Sequence, residues 1–262
     1  TGEYLYRFSY DAQNHLTHGD ITRREGINNI ALSVDYSYDY NGIRTGAKYI
    51  IDSEIVEKSF LIDNGLSEYS HVFEERNIAS PIPEKTNIIG KEVIGIGHGE
   101  KIIYFHRDAH SSIKNYSDAN GNISLPYEYD AFGIILGDIP KATIHSIGQL
   151  MYSGEMFDSV LQMQYLRSRY YDQNIGRFIS RDRISGSLSD PQTLNAYNYV
   201  HSDPVNNIDP KGESLVSVLC GIAIGVTMLT TLFSYSSYSY KAELLNLSRA
   251  QSSISNAILQ PK

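Results

Sequence analysis

The 262-residue chain carries 22 Lys+Arg against 30 Asp+Glu, a net charge of −8 with its histidines neutral. That acidic balance excludes a nucleic-acid partner, because phosphate backbones are held by clustered Lys and Arg. The lone cysteine, Cys220, excludes an internal disulfide framework and a cysteine-rich zinc site. Hydrophobic residues make up 41%, enough for a core, and the length suits one or two domains of roughly 100–200 residues. There are 21 tyrosines and no tryptophan. Tyrosine suits half-buried strands, with its ring against a neighbour and its hydroxyl in water.

The chain opens at Thr1 inside a motif already under way, with no charged-then-apolar leader. The expectation is a piece of a longer protein.

Residues 1–133 read as short strands divided by Gly, Asn and Asp turns. Tyr4-Leu5-Tyr6-Arg7-Phe8-Ser9-Tyr10 alternates ring and smaller side chain, then breaks at Asp11-Ala12-Gln13-Asn14. The unit returns as Val34-Asp35-Tyr36-Ser37-Tyr38-Asp39-Tyr40 before Asn41-Gly42, and as Pro126-Tyr127-Glu128-Tyr129-Asp130 before Ala131-Phe132-Gly133. Period-two alternation puts alternate residues on one face of a sheet, and Asn-Gly marks a hairpin. A further turn is expected at Asn120–Asn122, and a strand over Val93 to Ile96. Gly95-x-Gly97-x-Gly99 lacks the following helix and Lys-Ser/Thr pair of a phosphate loop. No cofactor is expected. The spacing of strands and turns predicts a mainly β fold.

Residues 150–212 show no periodic apolar helix. They carry an aromatic, basic segment, Tyr165-Leu166-Arg167-Ser168-Arg169-Tyr170-Tyr171-Asp172, then Gly176-Arg177-Phe178-Ile179-Ser180-Arg181-Asp182. Beyond them Leu215–Phe233 is a largely apolar run, and about 20 apolar residues cross a bilayer. It reads either as a membrane helix or as a segment buried inside protein. Residues 242–257 read as a short amphipathic helix.

The order of these motifs resembles the C-terminal core of RHS/YD-repeat proteins, the polymorphic toxins of bacteria. The resemblance rests on Tyr127–Gly133, Tyr165–Asp172, Gly176–Asp182, Asp190-Pro191-Gln192-Thr193-Leu194-Asn195-Ala196-Tyr197 and the closing Asp209-Pro210-Lys211-Gly212. It implies a YD-repeat β-sheet strip forming part of a hollow shell, with a C-terminal hydrophobic helix. The implied divisions are 1–133 for the repeat sheet, 134–212 for the repeat-associated core and 213–262 for a variable tail with a candidate transmembrane helix at 215–233. The implied function is to encapsulate and present that tail as a payload. The implied partners are upstream YD repeats, the chain's own tail, a membrane, and an immunity protein or secretion apparatus. The implied location is secreted or at the surface of a bacterium. A different class of function is a membrane-anchored cell-surface module whose tyrosine-rich sheet binds carbohydrate or another chain.

Many members cut themselves after the core with two aspartates, which match Asp182 and Asp209 here. At most this is a single-turnover aspartyl autoprotease. Two carboxylates forced together share a proton, so one serves as base and the other as acid. Arg181 would bias the proton or hold the chain end, with cleavage near Glu213-Ser214. The competing reading makes both aspartates turn residues, since Asp before Pro opens turns. Two departures from the family pattern stand out. Glu213 replaces an apolar residue, and His110-Ser111 replace a Leu-Gly pair in Tyr104-Phe105-His106-Arg107-Asp108-Ala109-His110. Strand alternation would put His106, Asp108 and His110 on one face, but no fourth ligand is near in sequence and no metal is expected.

Overall fold

The computed structural model describes residues 3–213, apart from 26–27, 52, 66–68, 81, 125 and 138–148, together with 216–217. Residues 1–216 form one unit, and 217–262 a second in which only Ser217 is described.

Ten strands follow one another as an antiparallel meander in chain order. They are β1 (Glu3–Tyr10), β2 (Leu16–Glu25), β3 (Asn28–Tyr38), β4 (Arg44–Ile51), β5 (Glu54–Asp63), β6 (His71–Asn77), β7 (Lys85–Ile89), β8 (Val93–His98), β9 (Lys101–Arg107) and β10 (Ile113–Asp118). A short hairpin follows, β11 (Glu128–Tyr129) with β12 (Ile135–Leu136). A second sheet comprises β13 (Gln149–Leu150), β14 (Met156–Asp158), β15 (Met163–Leu166), β16 (Arg169–Asp172) and β17 (Arg177–Phe178), again in chain order. The only helices among the described residues are single 3-10 turns.

The aspartate of each Tyr-Asp pair has a defined job. Asp11 Oδ1 accepts hydrogen bonds from the amides of Gln13 and His15, both at 2.9 Å. Asp39 does the same for Asn41 and Ile43, and Asp130 for Phe132 and Ile134. Asp108 and Asp118, which follow Arg and Ser rather than Tyr, build the same turn. In each, the residue three positions on turns left-handed: Asn14, Gly42, Ser111, Gly121 and Gly133. A short acceptor at the first position closes the backbone on itself, and the left-handed residue reverses it. The turn at Asp108 therefore survives the family departure there, with Ser111 taking φ 63° in place of glycine. A side chain in that region is strained by roughly 1–2 kcal/mol. Ser111→Gly should therefore stabilise the chain, by about 1 kcal/mol after glycine's entropy cost. Urea unfolding would read this, and a lower midpoint would refute it.

These turns are also acid-sensitive. Burial raises the Asp11 carboxyl, but the His15 and Gln13 contacts outweigh it and hold it below the usual aspartate value. Asp118 is lowered first by the Asn122 side chain. A carboxyl depressed by folding adds stability at neutral pH that disappears as pH falls through its folded value. The thermal midpoint should therefore drop between about pH 5 and pH 2. Asp118→Asn should blunt that drop, and an unchanged pH profile would argue against this account.

One face of the long sheet packs on the second sheet. Val34, Tyr36, Tyr49 and Phe60 join Met156, Phe157, Tyr165 and Tyr170 in one buried cluster. The other face of the second sheet offers Leu166, Tyr171 and Phe178 to Tyr152, Tyr199 and Val200. Strands β14 and β15 are buried along their whole length, as expected of a middle layer. The tyrosine hydroxyls mostly do not face water. Tyr6 donates to Leu161 O, Tyr10 to Ile179 O, Tyr152 to Ala131 O and Tyr171 to Phe132 O. Each hydroxyl ties one layer to the backbone of another, and burial raises these phenols, Tyr10 to about 12.

Strand β1 is the terminal strand of the meander, and its Leu5 is exposed. An open edge invites pairing with another chain. Residues 1–212 alone should therefore be oligomeric or poorly soluble. A monodisperse, cooperatively unfolding monomer in sedimentation would contradict this.

The strand expected over Val93 to Ile96 is present and extends to His98. The expected helix at 215–233 lies outside the described residues except for Val216–Ser217, which are extended. The helix at 242–257 also lies outside them. Among the described residues no helix is long and apolar enough to cross a membrane.

Candidate functional site

The loop Asp209–Glu213 lies against the turn joining β15 to β16. Three consecutive residues of that turn take three consecutive carbonyls of the loop. The Arg167 guanidinium donates to Pro210 O, the Ser168 amide to Lys211 O at 3.3 Å, and Arg169 Nε to Gly212 O. Arg167 is itself held by Glu155 at 2.7 Å and by Ser70 O at 2.8 Å. Burial raises the Glu155 carboxyl despite the opposing pull of Arg167. Gly212 has φ +68°, and a side chain there would collide with Leu166 O and press on the Arg169 amide. The glycine of Asp-Pro-Lys-Gly is thus required by both backbone conformation and close approach.

The same cradle brings the two candidate aspartates together. Arg169 Nη2 lies 2.7 Å from Asp182 Oδ2 and 3.5 Å from Asp209 Oδ2. Arg169 and Asp209 are nearly fully buried, with side chains 5% and 4% exposed. Desolvation lowers the Arg169 guanidinium, and Asp182 and Asp209 counter it. Arg169 also stacks on the Phe178 ring, 3.6 Å from its centroid, and donates to Ala196 O. Asp209 Oδ1 accepts the Glu213 amide at 3.1 Å. Asp182 Oδ1 accepts the Ile184 amide at 2.8 Å, so it is a turn residue as well.

The guanidinium between the two carboxylates is that of Arg169, while Arg181 is exposed and lines the same depression as Asp182, Gly212 and Glu213. A cation there offsets the repulsion that would otherwise force two carboxylates to share a proton. Glu213 is paired with Arg183. Partial burial raises its carboxyl, but Arg183 and Ser168 outweigh this and hold it below the usual glutamate value.

His106, Asp108 and His110 do not share a strand face. β9 ends at Arg107, and Asp108 and His110 belong to the turn. His106 meets Ser117 Oγ and His110 meets Ser153 Oγ. Among the described residues no cluster of His, Cys, Asp and Glu is arranged for a metal ion.

A meander with aspartate-initiated turns thus packs on a tyrosine-rich sheet and is followed by a clamped Asp-Pro-Lys-Gly loop. Residues 90–205 match the family described as Teneurin YD-shell. The chain is 24% identical over 220 residues to the tRNA nuclease WapA of Bacillus subtilis strain 168, covering 81% of this chain and 9% of that protein. It is 23% identical over 224 residues to the double-stranded DNA deaminase toxin A of Burkholderia cenocepacia strain H111, covering 79% and 15%. In the Photorhabdus luminescens Tc holotoxin pore, one chain superposes on 79% of this chain with a TM-score of 0.55 and 18% identity, over 10% of its own length. The chain has the fold of an RHS/YD-repeat shell, and it spans a small fraction of the length of these relatives.

Proposed function

We propose that the chain is the C-terminal shell segment of an RHS-repeat, toxin-like protein that encloses and presents a C-terminal payload. The observation that carries this is the clamp of Arg167, Ser168 and Arg169 on three successive carbonyls, which fixes where the chain leaves the core. On this reading residues 1–133 are repeat sheet, 134–212 are repeat-associated core and 213–262 are the payload, with 215–233 its membrane-competent part. The open edge of β1 receives upstream repeats, and the whole is exported to a bacterial surface or beyond. In the full-length protein, a broad-specificity protease should leave 213–262 intact until denaturant is added. Loss of the tail at the same rate as an exposed loop would refute enclosure.

Self-cleavage is a second reading, favoured by the position of Asp209, whose carboxylate holds the Glu213 amide beside the Arg169–Asp182 pair. Water supplies the nucleophile. One aspartate takes its proton, oxygen adds to the carbonyl carbon near Glu213-Ser214, and the C–N bond breaks. The proton taken from water passes to the departing amine nitrogen, so the chain ends as a carboxylic acid and a new amine. Arg169 acts as a positioning residue, holding both carboxylates and the Gly212 carbonyl.

A further inference from the structure

Glu213 stands where the family pattern has an apolar residue, and a charge entering an apolar subsite would misplace the chain. Here the surroundings of that side chain are polar. The Arg183 guanidinium donates to Glu213 Oε1, and Ser168 lines the same depression. The backbone leading to it is fixed by Arg169 on Gly212 O and by Asp209 on the Glu213 amide. Ser168, Arg169, Asp182, Arg183, Gly212 and Glu213 line one shallow depression. A surface ion pair usually contributes little, because both long side chains must be ordered to make it. This one differs in that its carboxylate is delivered to a set position by a clamped backbone, which removes part of that cost.

We propose that Arg183, with Ser168 beside it, is the specificity residue of the junction and selects an acidic side chain at position 213. This rests on the self-cleavage reading and deepens it. Arg183 lies one residue beyond Asp182, so the segment that supplies a candidate catalytic carboxylate also supplies the group that reads the substrate side chain.

The test compares four full-length proteins: wild type, Arg183→Glu, Glu213→Arg, and the double exchange. Cleavage is timed by intact mass. Each single exchange places like charges together and should slow cleavage about tenfold, and the double should recover to within about threefold of wild type. A double variant as slow as the slower single one, or an Arg183→Glu protein cutting at the wild-type rate, would overturn the proposal. If wild type is not cut at all, self-cleavage fails, and recognition of Glu213 is read separately with an added glutamate-specific endoprotease. The bond after Glu213 should then be cut about tenfold faster in Arg183→Glu than in wild type. Equal rates would overturn the pairing itself.

Discussion

Arg44→Met should cost the protein about 3–5 kcal/mol of unfolding free energy, the largest loss expected from a single substitution in the described fold. Arg44 leaves the long sheet at the start of β4 and reaches Asp158 at the end of β14, with side chains 2% and 0% exposed. Asp158 Oδ2 also accepts from Tyr36 at 2.6 Å and Tyr49 at 3.2 Å, and its Oδ1 takes the Val160 and Leu161 amides. Arg44 Nη1 donates to Tyr170 at 2.6 Å, and its guanidinium lies 4.4 Å from the Tyr165 ring centroid and 5.1 Å from that of Phe60. Burial raises the Tyr36, Tyr49 and Tyr170 phenols, which keeps Tyr36 and Tyr49 protonated as donors to Asp158. Methionine fills the space but leaves the Asp158 charge in a dry core without its cation. Tyr36→Phe removes one donor from a carboxylate that keeps others, so about 1–3 kcal/mol is expected. Urea unfolding of the full-length protein gives both numbers. An Arg44→Met variant less damaging than Tyr36→Phe would show that this buried pair does not join the two sheets.

Asp182→Asn and Asp209→Asn should each slow release of the tail by about 10²–10⁴-fold, the range expected when a positioned acid or base is lost. Both variants should fold, because asparagine can still accept the Ile184 or Glu213 amide that each aspartate holds. Intact mass after expression decides the matter. A wild-type product ending near Glu213, lost in both variants, supports self-cleavage. An uncut chain in all three retires it and leaves the aspartates as turn and anchor residues around Arg169.

Local features were legible in the sequence because their causes are local. The alternation of Tyr4 to Tyr10 is β1, and Asp39-Tyr40-Asn41-Gly42 is the reversal between β3 and β4. The Asp108 turn was obscured because Ser111 replaced the residue type that signals a left-handed position. Aspartate, through its two amide contacts, is the stronger determinant there. The Arg44–Asp158 pair was not legible, since its partners stand 114 residues apart and neither has a distinctive neighbourhood. Motif order named Asp182 and Asp209, and the structure brings both to one guanidinium, that of Arg169 on β16. Arg169 was legible only as a residue expected to pair with acids on neighbouring segments, which it does. The tyrosines were read correctly as sheet formers. Several of their hydroxyls, such as those of Tyr6 and Tyr171, meet backbone carbonyls of other elements, and those of Tyr36 and Tyr49 meet Asp158, because the second sheet is buried on both faces, a tertiary fact with no local signal.

An electron cryomicroscopy map of the full-length protein would test the central claim most directly. The expected map shows a closed β-shell in which β1 pairs with an upstream strand, residues 149–213 pack as they do here, and density for the chain after Glu213 lies inside. A map with β1 unpaired and the chain after Glu213 outside the β-structure would contradict it.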